Sequence, residues 1–506
     1  MTPRTTLLVW LFALGVGVAA ARADPPADVV RVQSGALHGM VVDDAVAFEG
    51  IPYAAPPVGA LRWRPPQPPA NWSGGREATA FGPVCPQTAG FALPAGAVQS
   101  EDCLTLNVWR PLKSVGAAPV MVWLHGGGDD AGTASQPQFD GAVFARDGIV
   151  FVSVEYRLGA LGWFAHPALT REAAPGQALA NYGLMDEIAA LQWVKRNISA
   201  FGGDPTRVTV AGESAGGEAV LFLMTTPAAK GLFSQAIVES GTGWGQYEKL
   251  SDAEKAGEGL AKRAGAADGA DAAALRALPV SALVAANSGG IGVAVDGRLV
   301  VEAPADGFAT GRSARVPLLI GSNSGEDSLL GDVDPKTMLS DFTPDQLAAF
   351  RKAYGDEAPD DATLGRDLFR DQVMGAPARW IAARHAARAP SYLYQFAYIP
   401  QILRRRWTRL NHGVEMLFAF AALSRAPRPL PAFDADTAEM TLVHGCWVAF
   451  VKTGVPACPG GPAWPAYTPD GDQLMLFGDT AEVRTHFRKV AYDLLDSIEA
   501  TGLAEH

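Results

Sequence analysis

The sequence predicts an α/β fold: a large, mostly parallel twisted sheet flanked by helices, with a helical cap region. Three observations predict it. Short apolar runs recur at 120–124, 150–155, 208–211, 236–239, 316–320 and 391–396. Most are apolar throughout, as strands buried on both faces of a parallel sheet must be. Between them lie Ala-rich stretches of helical period, such as 182–197, where Leu184, Ile188, Leu191 and Val194 share one face. Finally, 506 residues that are 48% hydrophobic and only 19% charged suffice for a large core and exclude a disordered chain.

Along the chain, the first element is an address. Residues 1–23 carry Arg4, an apolar stretch from Leu7 to Ala20, and the small-x-small pattern Ala21-Arg22-Ala23. This reads as a signal peptide, with export of the chain to the periplasm or exterior and a mature start near Asp24. The apolar stretch is short for a membrane span of ~20 residues. Lys plus Arg number 41 and Asp plus Glu 53, a formal charge of −12, so the basic excess of a nucleic-acid binder is missing. Residues 24–506 read as one domain.

Export permits disulfides. Cys85, Cys103, Cys446 and Cys458 allow three pairings. Cys85 and Cys103 lie eighteen positions apart; Cys446 and Cys458, twelve apart across Gly454-Val455-Pro456, form a candidate second pair. Paired CxxC motifs are missing, so no structural metal is expected. Residues 251–287, rich in Ala and charge, read as the helical cap.

The chemistry concentrates at Gly212-Glu213-Ser214-Ala215-Gly216, between the strand-like 208–211 and the helix-like 218–224. An immediate strand-to-helix turn strains the central residue and tolerates only small flanks. It lifts Ser214 Oγ above the sheet at a helix N-terminus, making it the candidate nucleophile. His125-Gly126-Gly127-Gly128 follows strand 120–124. Acyl transfer needs preorganised N–H donors, and glycines let amides approach a substrate, so Gly127, Gly128 and Ala215 are the candidate oxyanion donors. His125 reads as a brace of that loop.

In α/β-hydrolase folds the order is Ser, acid, His. After strand 316–320 come Glu326, the candidate acid, and Asp327, the alternative. Chain order leaves His385, His412, His444, His486 and His506 as bases. His412 stands in a loop-like segment after strand 391–396, whereas His385 and His444 lie in helix-like runs.

Longer motifs add a resemblance. FEGIPYAAPPVGALRWRPPQPPANW (48–72), EDCLTLNVWRP (101–111), FGGDPTRVTVAGESAG (201–216), VPLLIGSNSGED (316–327), NHGVEMLFAF (411–420) and WVAFVKTGVP (447–456) resemble the type-B carboxylesterase family, which includes para-nitrobenzyl esterases, carboxylesterases and cholinesterases. The resemblance implies an α/β-hydrolase fold and a Ser-Glu-His triad of Ser214, Glu326 and His412. It also implies a Cys85–Cys103 bridge and supporting positions at Glu213 and Ser240. The function expected is cofactor-free serine hydrolysis of small carboxylic esters through an acyl-enzyme. Lipase, amidase or carbamate hydrolase activity would use the same residues, and a non-catalytic binding protein would usually lack the nucleophile or its base. Two departures stand out. The Gly-rich loop continues into Asp129-Asp130 where the family usually has an aromatic, and Arg404, Arg405, Arg406 and Arg409 cluster before His412. A solvated basic face is the favoured reading of that cluster; a rim binding anionic esters is the sharper one.

Overall fold

Eleven strands assemble into one mixed sheet in the computed structural model, which describes residues 28–504 apart from 89–92, 114–115, 246, 288 and 290. The expected signal peptide and His506 lie outside the described residues. In chain order the strands are β1 (Met40–Val42), β2 (Ala45–Pro52), β3 (Thr105–Pro111), β4 (Ala118–Leu124), β5 (Val150–Val154), β6 (Gly203–Glu213), β7 (Gln235–Glu239), β8 (Leu318–Asn323), β9 (Ser391–Phe396), β10 (Gln473–Phe477) and β11 (Glu482–Thr485). Their spatial order is β11-β10-β9-β8-β7-β6-β4-β5-β3-β2-β1. From β10 to β5 neighbouring strands are parallel, while β11 at one edge and β3, β2 and β1 at the other pair antiparallel. A small separate sheet joins Val29–Val32, Gly35–His38 and Gly75–Glu77.

The parallel strands are the apolar runs of the sequence, buried along β4, β5, β7, β8 and β9. Boundaries move at two strands: β6 spans Gly203–Glu213, not 208–211, and β8 starts at Leu318, not 316, and runs on through Gly321-Ser322-Asn323. Pro317 has no N–H to donate to the ladder, and β9 pairs with the polar end up to Phe396. Helix α1 (Tyr182–Asn197) buries Leu184, Ile188, Leu191 and Val194. Helix α2 (Ala215–Thr225) packs against β6 and β7. The expected cap is three helices, α3 (Leu250–Arg263), α4 (Ala272–Arg276) and α5 (Val280–Ala286).

Both cysteine pairs are joined, Cys85 to Cys103 and Cys446 to Cys458. Among the described residues no helix is long and apolar enough to cross a membrane.

Register decides where chemistry collects. Leu124 of β4 lies opposite Gly212 of β6, Glu213 opposite Glu239 of β7, and Glu239 opposite Gly321 of β8. Four adjacent parallel strands, β4, β6, β7 and β8, therefore present their carboxyl ends side by side, and the Gly-rich loop, Ser214, Ser240 and Glu326 follow closely on those ends.

Candidate active site

Ser214 sits on the turn from β6 into α2 with φ 55° and ψ −126°, a strained conformation for a residue with a side chain. Its N–H donates to the Glu239 carbonyl at 2.9 Å, and its own carbonyl accepts from Glu218 N at 2.9 Å. The flanking glycines are steric necessities. A Cβ on Gly212 would lie 2.3 Å from the Gly216 carbonyl oxygen, and one on Gly216 would lie 2.2 Å from that of Leu124.

The Gly-rich loop after β4 passes over this turn. A Cβ on Gly126 would reach within 2.9 Å of Ser214 Cβ. Gly127 has φ 122°, and its carbonyl accepts from Ala131 N at 3.1 Å, which folds the loop back. Among the described residues the amides of Gly127, Gly128 and Ala215 donate to no protein group, so all three are free for a ligand. His125 is buried beneath, stacked on Tyr156 at 4.4 Å, with Nδ1 2.9 Å from the Gly126 carbonyl. Burial pushes it down to about 4, so it stays neutral and braces the loop.

The segment carrying His412 is stitched to the one carrying Glu326. Gly325 N donates to the Leu410 carbonyl at 2.8 Å, Leu410 N to Ser324 Oγ at 2.9 Å, and His412 N to Ser328 Oγ at 3.0 Å. A Cβ on Gly325 would meet the Leu410 carbonyl at 2.6 Å, so the close pass needs glycine. These stitches bring His412 Nδ1 to 2.6 Å from Glu326 Oε2. Glu326 is fully buried, and its Oε1 accepts from Ser240 Oγ at 2.7 Å and Asn323 N at 2.6 Å. Asp327, the alternative, points elsewhere, 3.6 Å from Arg409 Nη1.

The other imidazole nitrogen, Nε2, lies 3.1 Å from Glu213 Oε1. Among the described residues no hydrogen bond joins Ser214 Oγ to His412; the structure brings Glu326, His412 and Glu213 together and leaves Ser214 beside them. Burial disfavours charge on His412, but the Glu213 and Glu326 carboxylates outweigh it and push the imidazole up to about 10. Burial raises Glu213 to about 7, against the pull of His412.

Two buried carboxyls here escaped the sequence reading. Glu239 Oε1 accepts from Trp447 Nε1 at 2.8 Å, and burial lifts the group to about 8. Glu415 receives a hydrogen bond from Asn323 Nδ2 and lies 3.5 Å from Ser240 Oγ; burial and the neighbouring Glu213 raise it well above the usual range. The available signal was a lone Glu opening the apolar run 416–420, three residues after His412.

A cavity of about 350 Å³ opens at Ser214, lined by Gly128, Asp129, Ala215, Glu218 and Glu248 among others. The Arg cluster does not form a free rim throughout. Arg404 pairs with Asp479 at 2.6 Å and Arg409 with Asp367 at 2.6 Å, leaving Arg405 and Arg406 exposed.

The sheet order and the strand–Ser–helix turn define an α/β-hydrolase. The carboxylesterase family model matches residues 26–495, and the chain belongs to that family. It is 36% identical over 497 residues to fumonisin B1 esterase of Sphingopyxis macrogoltabida, covering 93% of this chain and 90% of that one. It is 34% identical over 472 residues to para-nitrobenzyl esterase of Bacillus subtilis strain 168, covering 88% and 94%. A solved para-nitrobenzyl esterase superposes with a TM-score of 0.81 at 30% identity, covering 93% of this chain and 99% of that chain. The protein is a carboxylic-ester hydrolase.

Proposed function

We propose that the protein is an exported serine esterase that cleaves small carboxylic esters through an acyl-enzyme, with Ser214 as nucleophile, His412 as base and Glu326 as the acid that orients it. The observation that carries this reading is the 2.6 Å contact of His412 Nδ1 with a buried Glu326, beside a serine held on a strained turn. His412 Nε2, which rests near Glu213 in the free enzyme, turns to Ser214 Oγ as substrate enters; such hydrogen bonds are commonly long before the complex forms. Once neutral, with its Nε2 proton lost to water, the imidazole takes the hydroxyl proton as Oγ attacks the ester carbonyl. The oxyanion settles among the amides of Gly127, Gly128 and Ala215, each such donor contributing roughly 3 kcal/mol. The alcohol leaves with the proton from His412, and water releases the acid by the reverse sequence. Glu326 keeps Nδ1 protonated throughout, while Ser240 and Asn323 hold Glu326 in place. Glu213 serves as the resting partner of Nε2.

Export is supported by the leader-like residues 1–23 and by two disulfides. Asn197-Ile198-Ser199 has the pattern of an N-glycosylation site, but the buried Asn197 amide is bonded to Gln33 N and the Trp193 carbonyl, so a glycan does not fit there.

The test is hydrolysis of p-nitrophenyl esters of increasing acyl length by wild type and Ser214→Ala. Turnover should vanish in the variant with the melting temperature kept, and an organophosphate should label Ser214 alone. Retained turnover, or labelling elsewhere, would overturn the assignment.

A further inference from the structure

The cavity at Ser214 has an unusual chemical lining. Asp129 follows the Gly-rich loop at φ 63°, a conformation that Asp tolerates better than most residues. Its backbone carbonyl is pinned by Gly159 N at 2.7 Å and Trp163 Nε1 at 3.1 Å. Its neighbour Asp130 turns away to Asn287 Nδ2 at 2.7 Å. The Asp129 carboxyl is thereby left facing the cavity, enclosed by protein on its other sides, with no hydrogen-bond or ion-pair partner among the described residues. Across the cavity, Glu218 in the first turn of α2 accepts from Tyr247 Oη at 2.6 Å through Oε1 only, which leaves Oε2 unused. Exposed Glu248 stands on the same lining. No Lys, Arg or His lines the cavity among the described residues.

Acceptors therefore exceed donors beside the reacting serine. A neutral alkyl chain would leave them unpaired, and a carboxylate would meet repulsion. A quaternary ammonium supplies charge but no N–H. A primary ammonium supplies three donors and a charge at once. The walls contributed by Ile291, Val293 and Met374 suit an alkyl segment leading to that group.

Resting on the esterase reading above, we propose that Asp129 and Glu218 are specificity-determining residues that receive a primary or secondary ammonium group carried by the ester. Burial raises both carboxyls above their ordinary values, Asp129 further through repulsion by Glu218 and Asp130, and Glu218 against the hydrogen bond from Tyr247; a bound cation favours their ionised forms, so it binds with release of protons. Charged hydrogen bonds of this kind are worth roughly ten- to hundredfold in binding.

The experiment compares isosteric esters that differ only in ammonium against methyl. On the acyl side these are the p-nitrophenyl esters of ω-aminohexanoate and heptanoate; on the alcohol side, aminopropyl butyrate and butyl butyrate. Wild type should prefer the ammonium member of at least one pair by about tenfold or more in kcat/KM. Asp129→Asn and Glu218→Gln, which keep size and shape, should each reduce that ratio several-fold, and together remove it. In parallel, calorimetry should detect butylammonium chloride, but not 1-butanol, binding to wild type, and neither binding to the double variant. A preference for the methyl members, or a ratio unmoved by both substitutions, would overturn the proposal while leaving the esterase reading intact. Butylammonium binding with none of the esters cleaved would sustain the subsite and instead overturn the esterase reading.

Discussion

Replacing Glu326 with Gln tests the proposed triad at its most constrained atom. Both donors on Oε1, Ser240 Oγ at 2.7 Å and Asn323 N at 2.6 Å, are fixed by the fold, so the amide oxygen of Gln must take that place. The amide NH2 then occupies the position of Oε2, 2.6 Å from His412 Nδ1. It donates to Nδ1, moves the imidazole proton to Nε2, and leaves no base for Ser214. Nε2–H would be held in addition by Glu213 Oε1, 3.1 Å away. Flipping the amide to restore the tautomer would strand two buried donors at ~1–3 kcal/mol each, which confines the flipped state to about one molecule in thirty at most. Activity should fall at least about thirtyfold, toward the ~10⁴-fold loss typical when an amide replaces such an acid. The assay is kcat/KM on a p-nitrophenyl ester with melting temperature alongside. Asp327→Asn is the control, since Asp327 faces Arg409; it should stay within about threefold of wild type. A Glu326→Gln enzyme keeping more than about a tenth of its activity, or an Asp327→Asn enzyme losing as much, would refute the reasoning.

Three further outcomes follow from the geometry. Glu213→Gln removes a carboxylate that raises His412, so the acid limb of the kcat/KM–pH profile should move to lower pH; a limb that stays put would separate Glu213 from the base. Gly216→Ala sets a Cβ 2.2 Å from the Leu124 carbonyl, against backbone that cannot yield, and should give misfolded or inactive protein by circular dichroism and assay. Breaking the Cys85–Cys103 bridge, which closes a loop of eighteen residues, should cost about 3 kcal/mol in urea unfolding, with activity retained in the folded protein.

The parallel half of the sheet was legible because burial on both faces writes itself as continuous apolar runs. β4, β5, β7 and β9 lie within a few residues of their predicted limits. The edges were not legible. β1 is only three residues long, and β11 carries Glu482 and Arg484, so neither shows the signature of a buried strand. At the site, Ser214 and the Gly loop announced themselves because their turns demand glycines at fixed spacing. His412 was reached by chain order, its loop-like setting and resemblance. Its contact with Glu326 depends on Gly325 passing beside Leu410, a long-range approach that local pattern does not encode.

Glu239 and Glu415 escaped because a buried acid and a solvated one look alike in sequence, yet they matter to the charge balance of the site. Five titratable groups, Glu213, Glu239, Glu326, Glu415 and His412, converge where the strands end. Were all four acids ionised, the attack of Ser214 would build an oxyanion inside a strongly negative field, opposing the stabilisation by the amides of Gly127, Gly128 and Ala215. Burial prevents that: Glu239 is lifted to about 8 and Glu415 well above its ordinary value, so both hold protons near neutral pH. A protonated carboxyl also supplies a donor inside the network, which suits Glu415, 3.5 Å from Ser240 Oγ. Negative charge then stays where it assists proton transfer, against the imidazole. On this argument the buried acids set how much charge the site tolerates, and the single contact from Glu326 decides which nitrogen of His412 is free to act.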